Sequence, residues 1–267
     1  MKNHTENIAK QIRKRLIKMH QKGSHLGSAL SVVDILAVLY FDIMNINSFD
    51  DPDRDRFILS KGHACSALYA TLAKKGFFNE EILEQYLSND GLLYGHPVKG
   101  SVPGIEASTG SLGHGLPIGI GMAYAAKTNN KKFKIYVVMG DGECQEGSVW
   151  EAAMLASRLK LDNIVAIIDA NNLQGFDIVE NIQPIKTFKA KWEAFGWYVT
   201  EIDGHNLKEL KKTFKNIPFE KNIPSLIIAH TIKGKGIAEM ENKLEWHYLS
   251  VPKEKVSKFM EELEGKR

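Results

Sequence analysis

Val137-Val138-Met139-Gly140-Asp141-Gly142-Glu143 and Ile167-Ile168-Asp169-Ala170-Asn171-Asn172-Leu173 each carry an apolar run into a short polar turn. The runs feeding them, Ile135-Tyr136-Val137-Val138-Met139 and Ile164-Val165-Ala166-Ile167-Ile168, are apolar at every position, so both faces need cover. That is the pattern of strands in a parallel sheet packed between helices. Working outward, strands over 134–139, 164–169, 197–202 and 225–229 alternate with helical spacing near 149–159, 188–195 and 207–217. The series reads βαβαβαβ, an α/β fold with a parallel sheet and helices on both faces. Upstream, Ile8, Ile12, Leu16 and Met19 fall at helical spacing, and 31–44 reads as a second apolar helix. Helices over 64–75 and near 80–87 follow the short apolar segment Phe57-Ile58-Leu59, and 252–267 reads as an amphipathic tail helix. Residues 88–115 are rich in Gly, Pro, Ser and His, the composition of a long functional loop. With no repeat, low-complexity tract or linker, 1–267 reads as a single domain.

The chain has 267 residues, and its 35 basic against 32 acidic residues leave a net charge of +3. Interleaved charge of this kind offers no basic stripe for a nucleic-acid backbone, so nucleic acid is excluded as the main partner. The two cysteines, Cys65 and Cys144, are far apart and form no CxxC, which argues against a disulfide framework, a zinc knuckle or a dithiol centre. A reducing, cytoplasmic setting is expected. Residues 1–22 contain no apolar core of a signal peptide, and no apolar run approaches the roughly 20 residues needed to span a bilayer. The expectation is a protein neither exported nor membrane-bound.

The two quoted turns leave parallel strands, and so emerge at the carboxyl edge of the sheet, where α/β proteins bind ligands. Asp141 and Asn171 lie thirty positions apart, one βαβ repeat, which places them side by side. A carboxylate, an amide oxygen and a loop carbonyl make a hard-oxygen half-shell for Mg²⁺ or Ca²⁺, completed by water and ligand phosphates. Gly140 and Gly142 let a diphosphate approach the backbone, and a helix starting near Gly147-Ser148 points its positive end the same way.

GDG followed at this distance by NN is the pattern of thiamine-diphosphate enzymes. Leu59-Ser60-Lys61-Gly62-His63-Ala64, Gly95-His96-Pro97, Ser108-Thr109-Gly110-Ser111-Leu112-Gly113-His114-Gly115, Gly140-Asp141-Gly142-Glu143-Cys144-Gln145-Glu146-Gly147 and Thr231-Ile232-Lys233-Gly234-Lys235-Gly236 occur in the order seen in transketolases. Over about 5–250 the chain resembles the thiamine-diphosphate-binding, N-terminal subunit of a transketolase split into two polypeptides.

The resemblance implies thiamine diphosphate as cofactor, and Asp141, Asn171 and the Leu173 carbonyl as ligands of Mg²⁺ or Ca²⁺. It places His63, Gly142 and His247 near the diphosphate or substrate, with Gly110 and Leu112 beside the cofactor rings. His25 and His96 match histidines that meet the hydroxyls of a sugar donor, so His25, His96 and His247 are the catalytic candidates. Cleaving a carbon–carbon bond of a ketose requires proton removal from a hydroxyl and stabilisation of an alkoxide, both within reach of imidazole near neutral pH. His114 stands where the family has glutamine, and Tyr248-Leu249 follows His247 where a small or basic residue is expected. His205 at a helix start, with His4, His20 and His230, reads as structural. Lys233-Gly234-Lys235-Gly236 reads as a mobile turn able to close over the site.

In that family a second domain holds the aminopyrimidine and supplies a glutamate acting on it. Because this chain ends where that domain would begin, the resemblance implies a half-enzyme. Its partner is a C-terminal, pyrimidine-binding subunit, with two copies of each chain and sugar phosphates as substrates. The implied reaction moves a two-carbon ketol unit from a ketose phosphate to an aldose phosphate. One alternative is a component of a 2-oxo-acid decarboxylating synthase or dehydrogenase, which the histidine series disfavours. Another is a silent regulatory paralogue, which has no need of an intact Asp141 and Asn171. No GxGxxG directly after a strand, GxxxxGK[ST], HExxH or GxSxG occurs, so nicotinamide, P-loop, zinc-protease and serine-hydrolase readings lose their support.

Overall fold

The structure, a computed structural model, describes residues 4–182 and 184–265. Among these residues, five strands form one sheet: β1 (Arg56–Leu59), β2 (Ile135–Gly140), β3 (Ile164–Ala170), β4 (Tyr198–Asp203) and β5 (Ser225–His230). Their order is β1-β2-β3-β5-β4, and every neighbouring pair is parallel. The helices are α1 (His4–Met19), α2 (Leu26–Ser31), α3 (Val33–Val38), α4 (Cys65–Lys75), α5 (Gly115–Thr128), α6 (Gly147–Arg158), α7 (Val179–Ile182), α8 (Phe188–Ala194), α9 (Leu207–Lys215) and α10 (Val256–Leu263).

The all-apolar strands divide by parity, as period-2 geometry requires. Leu59, Tyr136, Val138, Val165 and Ile167 pack on one face with α1, α3, α4, α9 and α10. Ile58, Ile135, Val137, Ile164 and Ile168 pack on the other with α5, α6 and α8. Helices therefore cover both faces, and the four predicted strands, now β2 to β5, with the three helices between them fall within a residue or two of their predicted bounds, while the short apolar segment at 57–59 forms a fifth strand, β1. None of the helices among the described residues is long and apolar enough to cross a membrane.

Four segments depart from expectation. The apolar stretch 31–44 is not one helix: α2 and α3 are offset at Val32, and the last turn, Leu39–Ile43, widens to a π-helix. Segment 80–87 forms only a 3₁₀ helix, Glu80–Gln85. In the tail, Lys253–Lys255 is a 3₁₀ turn before α10, and residues 266 and 267 lie outside the described residues. Helix α5 is an addition to the elements read from the sequence: it begins at Gly115, where the expected loop 88–115 ends. Gly119 serves close packing on β2: a Cβ there would lie 2.6 Å from Val137 Cγ2.

A buried charge cluster joins α1, α3 and the start of α9. Arg13 meets Asp34 with two parallel hydrogen bonds, Nη1 to Oδ1 at 3.0 Å and Nη2 to Oδ2 at 2.6 Å, and His205 Nδ1 reaches Asp34 Oδ2 at 2.7 Å. Burial alone would raise the Asp34 pKa, but the Arg13 guanidinium and His205 hold it down to about 2. The carboxylate thus stabilises the fold above its unfolded pKa, and that contribution is lost as the pH falls from about 4 toward 2. Replacing Arg13 leaves a buried, half-partnered charge, so Arg13→Met is expected to cost about 3–5 kcal/mol at pH 7. Because the orphaned carboxyl then protonates more readily, the loss measured by urea unfolding should shrink as the pH is lowered toward 4. A pH-independent loss would make the effect one of packing alone.

Candidate active site

The carboxyl ends of β1, β2 and β3 open into a cleft of about 470 Å³. It is lined by His25, His63, His96, Gly110, Leu112, Gly140, Asp141, Gly142, Asn171, Leu173 and His247, so every residue expected from the sequence to bind metal, cofactor or donor meets in one place.

The β2 and β3 turns interlock as their spacing predicts. Asp141 accepts from the Gly142 N–H at 2.8 Å and, across the strand gap, from the Asn172 N–H at 2.5 Å. Asn172 takes a left-handed φ of 62°, a conformation that asparagine tolerates. Asn171 Oδ1 accepts from the Leu173 N–H at 3.1 Å. Asp141 is buried, and burial first and then the Asp169 carboxylate push its pKa up to about 6. Such an anion is poised for a cation that the protein itself does not supply in contact. Among the described residues no group of three or more His, Cys, Asp or Glu is arranged to hold a metal, so any ion here must also draw on amide and carbonyl oxygens.

The histidines form the opposite wall. His25 precedes α2 with φ 70° and ψ 17°, a strained conformation for a residue with a Cβ. It is held there by its N–H, which donates to the His247 carbonyl at 2.9 Å, and by Nδ1 on Ser24 Oγ at 2.7 Å. The His25 ring lies 4.8 Å from His247 and 5.3 Å from His63, centroid to centroid. Burial, and then neighbouring positive groups, lower His25 to about 4, His247 to about 3 and His63 well below the ordinary histidine value. All three are neutral at pH 7, so each ring can donate at one nitrogen and accept at the other. His96 is the exposed member, and its ring packs on Gly110: a Cβ there would stand 2.9 Å from His96 Cδ2. Gly62 meets the same loop as closely, since a Cβ added to it would stand 2.8 Å from the Gly110 nitrogen, so the two motifs fit only without side chains. Leu112 lines the cleft and its carbonyl partners His114 Nδ1 at 3.0 Å, which leaves His114 at the start of α5.

Five functional groups escape the sequence reading. Lys61 is buried beneath the cleft, ion-paired to the fully buried Asp169 and donating to the Ser28 carbonyl at 3.2 Å. Asp169 also receives Ser31 Oγ at 2.6 Å and Thr231 Oγ1. Glu143 gathers Ser60 Oγ, the Gly113 N–H at 2.8 Å and the Gly140 N–H at 3.1 Å, pinning three cleft loops together. Gln174 lies over Gly142, and its Nε2 is buried without a partner among the described residues. Lys233 corrects the expectation of a mobile turn: its side chain is wholly buried, with Nζ on the Leu173 carbonyl at 3.1 Å, the Gln174 carbonyl at 3.3 Å and His247 Nδ1 at 2.8 Å. A charged residue ending an otherwise apolar strand, as Asp169 does, was the one available signal for this buried network.

Comparison with known proteins gives the family. The family described as "Transketolase, thiamine diphosphate binding domain" matches residues 5–265. The chain is 45% identical over 240 residues to an apulose-4-phosphate transketolase subunit of Phocaeicola vulgatus, covering 88% of this chain and 85% of that protein. It is 40% identical over 242 residues to the 6-deoxy-6-sulfo-D-fructose transketolase subunit SqwG of a Clostridium species, covering 90% of this chain and 88% of that protein. Among solved structures, transketolase from Leishmania mexicana superposes with a TM-score of 0.90 at 28% identity, over 99% of this chain and 42% of that one. The chain thus spans about two-fifths of that protein's length but most of the length of the two subunits. Fold, sequence and the layout of the cleft converge: the chain belongs to the transketolase family, over its thiamine-diphosphate-binding domain.

Proposed function

We propose that the chain is the diphosphate-binding subunit of a two-chain transketolase, moving a two-carbon ketol unit from a ketose phosphate to an aldose phosphate. The observation that carries this reading is the pairing, across one cleft, of an Asp141–Asn171–Leu173 oxygen wall with a wall of neutral imidazoles. Asp141, the Asn171 amide oxygen and the Leu173 carbonyl would hold Mg²⁺ or Ca²⁺, whose charge Asp141 needs before a diphosphate can approach it. Gly140, Gly142 and His63 would flank the diphosphate, with Gly110 and Leu112 beside the rings. Thiamine diphosphate, when bound, supplies the nucleophilic carbon that carries the two-carbon unit. His25, His96 and His247 would face the donor hydroxyls, where an imidazole can accept a hydroxyl proton and stabilise a developing alkoxide. Ser24 engages His25 Nδ1, which directs Nε2 to donor recognition.

The partner is a pyrimidine-binding chain, assembled with two copies of each subunit. Two relatives whose names make them subunits of larger transketolases support a divided enzyme. Cys65 and Cys144 are both free and buried, in keeping with a reducing cytoplasm.

Histidine substitutions in the assembled complex test the reading. His25→Ala and His96→Ala are each expected to lower kcat/KM by about 10²-fold or more, the scale of a positioned proton-transfer group, with little change in thiamine-diphosphate Kd. His63→Ala should weaken cofactor binding as well. Unchanged transfer in both His25→Ala and His96→Ala would remove the donor-site reading and favour an oxo-acid substrate.

A further inference from the structure

The turn 231–236 places Lys233 behind the cleft wall, where three acceptors take its buried ammonium. A protonated lysine can only donate, so His247 Nδ1 is the acceptor, and the neutral His247 ring carries its proton on Nε2. The tautomer that His247 offers to the cleft is therefore fixed by where Lys233 sits.

The position of Lys233 is fixed in turn by the buried charge cluster. The amide immediately before it, Ile232 N–H, donates to His205 Nε2 at 2.8 Å. With Nε2 accepting, the neutral His205 ring carries its proton on Nδ1 and gives it to Asp34 Oδ2 at 2.7 Å. Asp34 is held by both Nη atoms of Arg13, and Arg13 Nε donates to the Lys235 carbonyl at 3.2 Å. One ion-paired unit thus grips the turn on both sides of Lys233, at Ile232 and at Lys235. A helix-start residue with a purely local role would have no reason to reach this turn, 27 positions away in sequence.

We propose that Arg13, Asp34 and His205 form a clamp that positions Lys233, and that His205, acting through Lys233, selects the tautomer His247 presents to the cleft. The tautomer is a property of the chain itself. Only its consequence for turnover rests on the transketolase reading above.

His205→Asn is the discriminating variant, because the shorter amide still partners Asp34 but cannot reach the Ile232 N–H. His205→Gln offers an acceptor for Ile232 and a donor for Asp34 together. Long-range ¹H–¹⁵N correlation spectra of the ¹⁵N-labelled full chain, with His247 assigned by His247→Gln, report which ring nitrogen is protonated. The expected result is Nε2–H in the native chain, a mixture of tautomers in His205→Asn, and return toward the native pattern in His205→Gln. In the assembled complex His205→Asn should lower kcat at least about ten-fold, as loss of a positioning partner does, with a smaller change in KM. Lys233→Met, which removes the last link directly, should give the same mixed tautomers. A native His247 tautomer in both His205→Asn and Lys233→Met overturns the clamp, whatever the activity. A shifted tautomer with unchanged ketol transfer supports the clamp and counts against the donor-site reading of His247.

Discussion

Mixed with a second chain carrying the pyrimidine-binding half, the protein is expected to gain at least about 10³-fold in ketol transfer over what it shows alone, within the range of a positioned acid–base group. The surface around the cleft has the character of a face that is covered in use. Phe176 lines the cleft and is 76% exposed, and Tyr248, packed on His247 at 4.8 Å between ring centroids, is 63% exposed. Two large, exposed, largely apolar side chains thus stand together at the cleft instead of being scattered singly. A partner seated there would exclude water from the cofactor and strengthen every electrostatic contact inside. The measurement is a titration of partner into this chain with thiamine diphosphate and Mg²⁺, followed by coupled ketol-transfer assay. Light scattering should report the mass of two copies of each chain. Turnover by the single chain at the rate of the mixture would refute the divided-enzyme reading.

What the sequence made legible, and what it hid, follows from the range of the interactions. Strands β2 and β3 are readable because all-apolar runs leave one structural option, and the spacing of Asp141 and Asn171 then carries their turns to neighbouring positions. The cleft histidines are readable only through motif order, since nothing local marks His25, His63 and His247 as neighbours; contacts between distant segments create that wall. Lys61, Asp169 and Lys233 are hidden for the converse reason. A lysine beside glycine reads as a solvated turn, and only the fold shows that Lys61 has Asp169 to neutralise it and that Lys233 has carbonyls and an imidazole to receive its protons. Helix α5 is hidden because its glycines lower helix propensity, while the reason for Gly119, its contact with β2, shows only in the fold.

His25 joins these two levels. Its left-handed backbone is unfavourable on its own, by about 1–3 kcal/mol, and persists because Ser24 and the His247 carbonyl hold the turn. The strain aims the ring at His63 and His247. The site residue and the loop geometry are therefore one feature, invisible to any local reading of Gly23-Ser24-His25.

Asp141→Asn should abolish metal-dependent binding of thiamine diphosphate, weakening it by about 10²-fold or more, the upper range for loss of a group supporting a metal. Desolvation is the first reason. The carboxylate is buried at the sheet edge, two backbone N–H groups are its only hydrogen-bond donors among the described residues, and Asp169 lies close enough to repel it. A diphosphate entering beside it would add further negative charge, whereas a divalent ion between the two offsets both. Metal and cofactor must then bind together: calorimetry in the presence of the partner chain should give heat with thiamine diphosphate plus Mg²⁺ and none when the metal is chelated. Asparagine keeps the size and one acceptor oxygen, so the Gly142 and Asn172 N–H groups need not both lose their partner. Removing an uncompensated buried charge should leave the ligand-free Tm unchanged or raised. A fold at least as stable that no longer binds separates loss of a ligand from loss of structure. Equal affinity of the native chain and Asp141→Asn, or equal binding with and without Mg²⁺, would take the metal away from Asp141 and with it the reason for the Asp141–Asn171 pairing.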